Sequence, residues 1–335
     1  MDLGKNLLLA LLATTVFLGS MEAVSLFIRS VSLPEPVYSR DLEPDYLLFF
    51  RLRSGRTDWG DVNSLHLRGP EVPEKPQDEF RILSLGESST FGWKVSHRQT
   101  YSAFLERRLH TVGGRRVKVV NAGVPAYTSF QGFTYLRYRG LELDPDAVLV
   151  YFGANDFTSV AFRTDRSAPW RENSGLTDRE LFEERRNPLV RLSSLLLEYS
   201  NLFRLVALRG QPVARVSSSP RARVPAEDRW QILNDFRDLC REQRIQLIVL
   251  VPWYREFEKH CFLLREFAAA TGVPVVDLPE KLRDLPEPRV NYFIDRMHPN
   301  VNGHRAIGGA IAEELRALWD ERDFHPAQES SLGQS

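Results

Sequence analysis

The sequence predicts a three-layer α/β/α domain with a central parallel sheet of about five strands. Three observations predict it. Short β-branched apolar runs alternate with amphipathic stretches of helical spacing, the rhythm of βαβ units. The runs are apolar at successive positions, as strands are when helices cover both faces of their sheet. The 335 residues are 43% hydrophobic, enough for a sizeable core.

The elements follow in order. Phe80–Leu85 is the first strand and ends at Gly86. Residues 99–112 have helical spacing through Tyr101, Phe104, Leu105 and Leu109. Val117–Val120 is the second strand, followed by a helix over 128–140 that carries Phe130, Phe133, Tyr135 and Leu136. Ala147–Phe152 is the third strand. A helix around 227–243 precedes the fourth strand, Gln246–Val251, and one around 256–270 precedes the fifth, Val273–Asp277. A last helix runs roughly over 301–319. The predicted domain is therefore 79–320, with a polar tail at 321–335. Residues 30–78, rich in Pro, Arg, Gly and Asp, read as a stalk or an irregular N-terminal lobe. An Arg-rich insertion at 157–226 carries one apolar patch, Leu189 to Leu208. It reads as a solvated loop with a packing helix, or as a cap over the site.

Residues 1–29 predict a membrane anchor. Asn6 to Ile28 carries one charge, Glu22, between Lys5 and Arg29. As a helix its 23 residues would span roughly 34 Å, enough for a bilayer core. Ser20-Met21-Glu22 is a poor cleavage site, so an uncleaved single-pass signal anchor is the expectation, with the catalytic domain extracytoplasmic. A cleaved, secreted chain and a buried soluble helix are the alternatives.

Charge and cysteine content exclude other classes. Lys+Arg and Asp+Glu are both 44, so no basic excess marks a nucleic-acid binder. Two cysteines, Cys240 and Cys261, cannot build a disulfide scaffold or a four-ligand zinc site. They read as two buried thiols, with one bridge as the alternative.

In open α/β sheets, ligands bind at the carboxyl ends of the strands. Gly86-Glu87-Ser88 follows strand one, where a Ser at a tight strand-to-helix turn exposes its hydroxyl; an ordinary helix cap reads the same way. Asn121 to Ser129 follows strand two and can present backbone N–H groups, or be a plain turn. Gly153-Ala154-Asn155-Asp156 follows strand three; a side-chain amide there can donate to an oxyanion, or form an Asx turn. Asp295-Arg296-Met297-His298-Pro299 precedes the last helix, and its carboxylate can hold the imidazole. His304 falls inside that helix and reads as structural. A metal site from Asp295, His298 and His304 would leave the serine unused.

These four blocks, in this order, resemble the SGNH hydrolases, also called the GDSL esterase/lipase family. The resemblance covers roughly residues 79–320 and implies an SGNH, flavodoxin-like fold and a serine esterase acting on small-molecule or glycan esters. It implies Ser88 as nucleophile, His298 as general base and then acid, and Asp295 as the group that orients His298. It implies an oxyanion hole of the Ser88 N–H, the Asn155 amide and a second-block N–H. There the family usually has glycine where this chain has Ala126; Gly123 is the alternative donor. Glu87 stands where the family name has Asp. No metal or organic cofactor is implied. Removal of acetyl groups from envelope or extracellular glycans is the expected activity; an O-acyltransferase, a lipase or thioesterase, and a non-enzymatic envelope protein are the rivals.

Overall fold

The computed structural model describes residues 3–32, 41–58, 60–158, 176–186, 188, 200, 202, 221–256 and 262–320. The chain divides into two compact units, residues 1–51 with 159–221, and residues 52–158 with 222–335.

In the first unit, Leu3–Ser32 forms one helix of 30 residues. Leu9, Leu11, Leu12, Val16, Phe17 and Leu18 on it are exposed. Its Glu22 carboxylate accepts from Ser200 Oγ at 2.8 Å and from the Leu202 N–H at 3.1 Å. Among the described residues no helix is long and apolar enough to cross a membrane. The transmembrane span expected at the N-terminus is thus not shown; the side chains of 6–8, 10 and 26–32 lie outside the described residues. Of the insertion, a helix at Asp178–Arg185 is described, capped by Thr177, whose hydroxyl accepts from the Glu180 N–H. The apolar patch at 189–208, apart from Ser200 and Leu202, lies outside the described residues.

The expected irregular region at 30–78 contains short strands: β1 (Leu42–Asp45) pairs with β2 (Phe49–Leu52), and β3 (Gly55–Thr57) with β4 (Gly60–Val62). The main sheet of the second unit follows. It has six strands: β5 (Glu79–Gly86), β6 (Thr111–Val112), β7 (Arg115–Gly123), β8 (Ala147–Tyr151), β9 (Gln246–Val251) and β10 (Val275–Asp277). Their order is β10-β9-β8-β5-β7-β6. Five run parallel, and β6 adds an antiparallel edge paired with β7.

The alternation of side chains along each strand makes the layers. Phe80 and Ile82 of β5, Ala147 and Leu149 of β8 and Ile248 and Leu250 of β9 share one core with the helices Tyr101–Leu109 and Val301–Asp320. Val249 and Val251 of β9 pack on the other face against Leu233, Leu264 and Phe267, from the helices Ala226–Glu242 and Phe262–Thr271. At the amino-terminal end of the sheet lies buried Arg81. Its guanidinium reaches Glu79 at 2.6 Å and donates to the carbonyls of Leu143 and Pro73. Every arm of this charge is paired, which is what makes its burial tolerable. Cys240 is a buried free thiol, which desolvation pushes up to about 12. Cys261 lies outside the described residues.

Candidate active site

The strand order fixes where a cleft opens. From β5 the chain turns toward β7, while from β8 it turns toward β9. The switch point lies between β5 and β8, whose last paired residues are Gly86 and Tyr151. Connections leaving in opposite directions open a crevice at the strand carboxyl ends. Ser88 follows one strand and Asn155 the other, so both stand at that crevice.

Ser88 begins a single helical turn, Ser88–Phe91, closed by Gly92 at φ 83°. The turn lies close over β7. A Cβ on Gly123 would come within 2.3 Å of the Phe91 nitrogen, so only glycine fits there. Asn121 braces the same turn: its amide donates to the Thr90 carbonyl at 2.7 Å, and its Oδ1 accepts the Gly123 N–H at 3.0 Å.

The loop before the last helix brings the imidazole in. Ser88 Oγ lies 2.8 Å from His298 Nε2, across 210 positions of sequence. His298 Nδ1 lies 2.7 Å from Asp295 Oδ2. The other carboxylate oxygen, Oδ1, accepts the backbone N–H groups of Met297 at 3.0 Å and His298 at 2.9 Å. Partial burial works against the Asp295 anion. The bonds from the His298 ring and the two backbone N–H groups outweigh it and hold the carboxyl down at about 2. With Nδ1–H donated to this anion, Nε2 offers its lone pair to Ser88.

Asn155 and the second block meet in one loop layer. The Asn155 amide donates one hydrogen to the Tyr127 carbonyl at 3.0 Å, and an amide has a second to give. Ala126 sits at φ 68°, the left-handed region where an L side chain is strained by about 1–2 kcal/mol. The Gly123 N–H is engaged by Asn121, whereas Ala126 is held in its turn by buried Arg223. That guanidinium donates to the Ala126 carbonyl at 2.9 Å and to Gln131 Oε1 at 3.1 Å. Asp156 is buried and accepts the Ser129 N–H at 2.8 Å, anchoring the start of the Ser129–Tyr138 helix.

Glu87 is fully buried beside Ser88. It accepts from the Tyr254 hydroxyl at 2.5 Å and from the Asn155 N–H at 3.3 Å. Desolvation pushes its carboxyl up to about 7, against those two hydrogen bonds and with a smaller push from Asp156. The Glu87 proton thus leaves the unfolded chain near its ordinary value of 4.5 but the folded protein only near 7. Stability should therefore fall as pH rises across that window, by about 3 kcal/mol. Glu87→Gln cannot ionise. Its melting temperature, measured beside the parent between pH 5 and 8, should lack this component of the decline; equal declines would assign it to another group.

Other residues fall elsewhere. Trp253 and Tyr254, which by position could line a pocket, are buried; Trp253 packs against Tyr292 and Phe293. Trp93 is partly exposed, its ring centroid 6.1 Å from that of His298. His304 is fully buried, accepts the Tyr101 N–H at 3.2 Å and stacks on that ring. Burial holds it near 3, so it is neutral. Among the described residues no group of three His, Cys, Asp or Glu side chains could hold a metal. Sequence reasoning missed Arg223 and the Glu87–Tyr254 pair.

The GDSL-like Lipase/Acylhydrolase family model matches residues 84–261, slightly more than half of the 335. Among solved structures, the chain is similar to a lipase/acylhydrolase from Enterococcus faecalis, at 19% identity over 71% of this chain and 96% of that one, with a TM-score of 0.44. It is also similar to Axe2, an acetylxylan esterase from Geobacillus stearothermophilus, at 17% identity over 70% of this chain and 93% of that one, with a TM-score of 0.43. No curated protein matches the chain.

Proposed function

We propose that this chain, which belongs to the GDSL-like lipase/acylhydrolase family and hydrolyses ester bonds, does so through Ser88, His298 and Asp295 and removes short acyl groups from glycans. The observation that carries the reading is the hydrogen-bond chain from Ser88 Oγ through the imidazole to Asp295, at 2.8 and 2.7 Å.

In this mechanism Ser88 Oγ attacks the ester carbonyl while His298 Nε2 takes its proton. The carbonyl oxygen gains negative charge. The Ser88 N–H, the second hydrogen of the Asn155 amide and the Ala126 N–H receive it. Each such donor is worth about 3–4 kcal/mol of barrier. His298 hands its proton to the departing alcohol. Water then enters, gives its proton to His298, and releases the acid from the serine. Asp295 stays ionised throughout and holds the imidazolium in place.

Support for a short acyl group comes from the rim. The aromatic residues after β9 are packed into the core, where Trp253 and Tyr254 offer no surface to a fatty chain. A panel of p-nitrophenyl esters from acetate to palmitate, run beside acetylated polysaccharides, tests this. Rates should peak at two to four acyl carbons, with acetate released from polysaccharide. A preference for long chains would replace the reading with a lipase or thioesterase, and acetyl transfer to an added sugar in place of water would replace it with an acyltransferase.

We also propose that the N-terminal helix anchors the chain to a membrane, with the hydrolase outside the cytoplasm. The exposed leucines and Phe17 support this, as does the hydrogen bonding of Glu22, the single charge of the stretch, within its own unit. Cells expressing the full chain should retain it in the membrane fraction after carbonate washing; recovery in the soluble fraction would exclude an anchor.

A further inference from the structure

A cavity of the hydrolase unit, about 440 Å³, opens between the β3–β4 hairpin and residues 93–96. That volume is in the range of small-molecule sites. Its walls include Arg56, Asp58 and Asp61 from the hairpin and Trp93, Lys94 and Ser96 from the other side. The hairpin lies outside the stretch matched by the family model.

Three observations give this cleft a role. First, Trp93 belongs to both places: it lines the cleft, and its ring tilts by 35° beside that of His298. His298 is the group that protonates the leaving alcohol, so the alcohol half of the ester departs on the Trp93 side. Second, the walls set hydrogen-bonding groups beside apolar surface: carboxylates, cations and hydroxyls share the lining with the Trp93 ring and with Val95, its one aliphatic residue. An aromatic face amid hydrogen-bonding groups suits a sugar ring, which has an apolar face and a rim of hydroxyls. Third, the floor is pre-formed. Buried Arg68 donates to the Val95 carbonyl at 2.9 Å, and its guanidinium lies 4.5 Å over the Phe91 ring, in the turn that Ser88 begins. The hairpin rests on that guanidinium at Gly60, where a Cβ would collide with Arg68 at 1.9 Å.

We infer that this cleft is the subsite for the alcohol half of the substrate, and that the alcohol it takes is a sugar unit stacked on Trp93. The inference rests on the assignment of Ser88 and His298 and on the glycan substrate proposed above, and adds where the leaving sugar is held.

The test compares partially O-acetylated tetrasaccharides with ethyl acetate, whose alcohol is too small to reach the cleft. The readout is the ratio of their kcat/KM values. Asp58→Ala with Arg56→Ala should lower this ratio 10-fold or more, chiefly through KM of the saccharide. Trp93→Ala should lower it further, and Trp93→Phe should restore part of it. Circular dichroism checks that each variant is folded. A separate arm uses the Ser88→Ala protein, in which deacetylated tetrasaccharide should quench tryptophan fluorescence, and this quenching should be lost with Trp93→Phe. The inference is overturned if the full chain shows no preference for any acetylated tetrasaccharide, if the ratio stays within two-fold in the cleft variants, or if no saccharide binds. Each of these can occur while Ser88→Ala still abolishes ethyl acetate hydrolysis. Hydrolysis that survives Ser88→Ala would instead overturn the assignment of the nucleophile.

Discussion

Ser88→Ala is expected to lower turnover of p-nitrophenyl acetate by roughly 10⁴–10⁶-fold. The hydroxyl lies within bonding reach of His298 Nε2, at 2.8 Å. Without it the imidazole has no nucleophile to activate. What remains is the slow attack of water in a site that still binds ester. The fold should be unaffected. Among the described residues the Ser88 side chain makes no other hydrogen bond, and alanine fits the first turn of a helix. Single-turnover assays and labelling with a fluorophosphonate both check this. The parent should carry one label, on Ser88, and the variant none. Turnover within ten-fold of the parent would show that another residue attacks.

Asp295→Asn should cost about 10⁴ in kcat, and the local geometry gives the reason. Two backbone N–H groups point at Oδ1. An asparagine keeps its carbonyl oxygen there and turns its NH2 toward His298 Nδ1. Nδ1 must then accept, so the ring proton moves to Nε2. That tautomer cannot take the proton of Ser88. Because the amide still satisfies the loop, the melting temperature should change by only a few degrees. The expected signature is a large fall in rate on a nearly unchanged fold. An unchanged rate would mean that Ser88 and His298 work as a dyad. A collapse in stability would mean that the carboxylate mainly holds the loop. Asp295 ionises near 2, so it should not set the acidic limb of the parent's pH–rate profile above about pH 3.

The parts of this arrangement that were legible in the sequence are the local ones. β8 and β9 are near-continuous runs of apolar residues because helices cover both their faces, and such runs stand out in a chain that is 26% charged. Asp295 and His298 are three apart, a spacing that one loop can close by itself. The remainder depends on distant pairing. Glu87 and Tyr254 are 167 positions apart, and nothing near either residue announces the other. Arg223 is one arginine among many in an Arg-rich segment; only its burial against Ala126 and Gln131 sets it apart. The edge strand β6 is two residues long and exists because Gly113 and Gly114 both take positive φ, turning the chain back onto β7. β1 to β4 are three or four residues each, too short for an alternating pattern to emerge. Trp253 and Tyr254 do follow β9, as their position suggests, but they turn inward.

The imidazole and its carboxylate lie in the loop that enters the final helix, Val301–Asp320, and that helix packs on the Tyr101–Leu109 helix. A ribosome releases Ser88, the proposed nucleophile, some two hundred residues before His298, its proposed base. Until the closing helix has emerged and docked, the nascent polypeptide holds a serine with no base beside it. On the proposed mechanism the docking of this helix arms the enzyme, and messages cut short before it would yield inert protein.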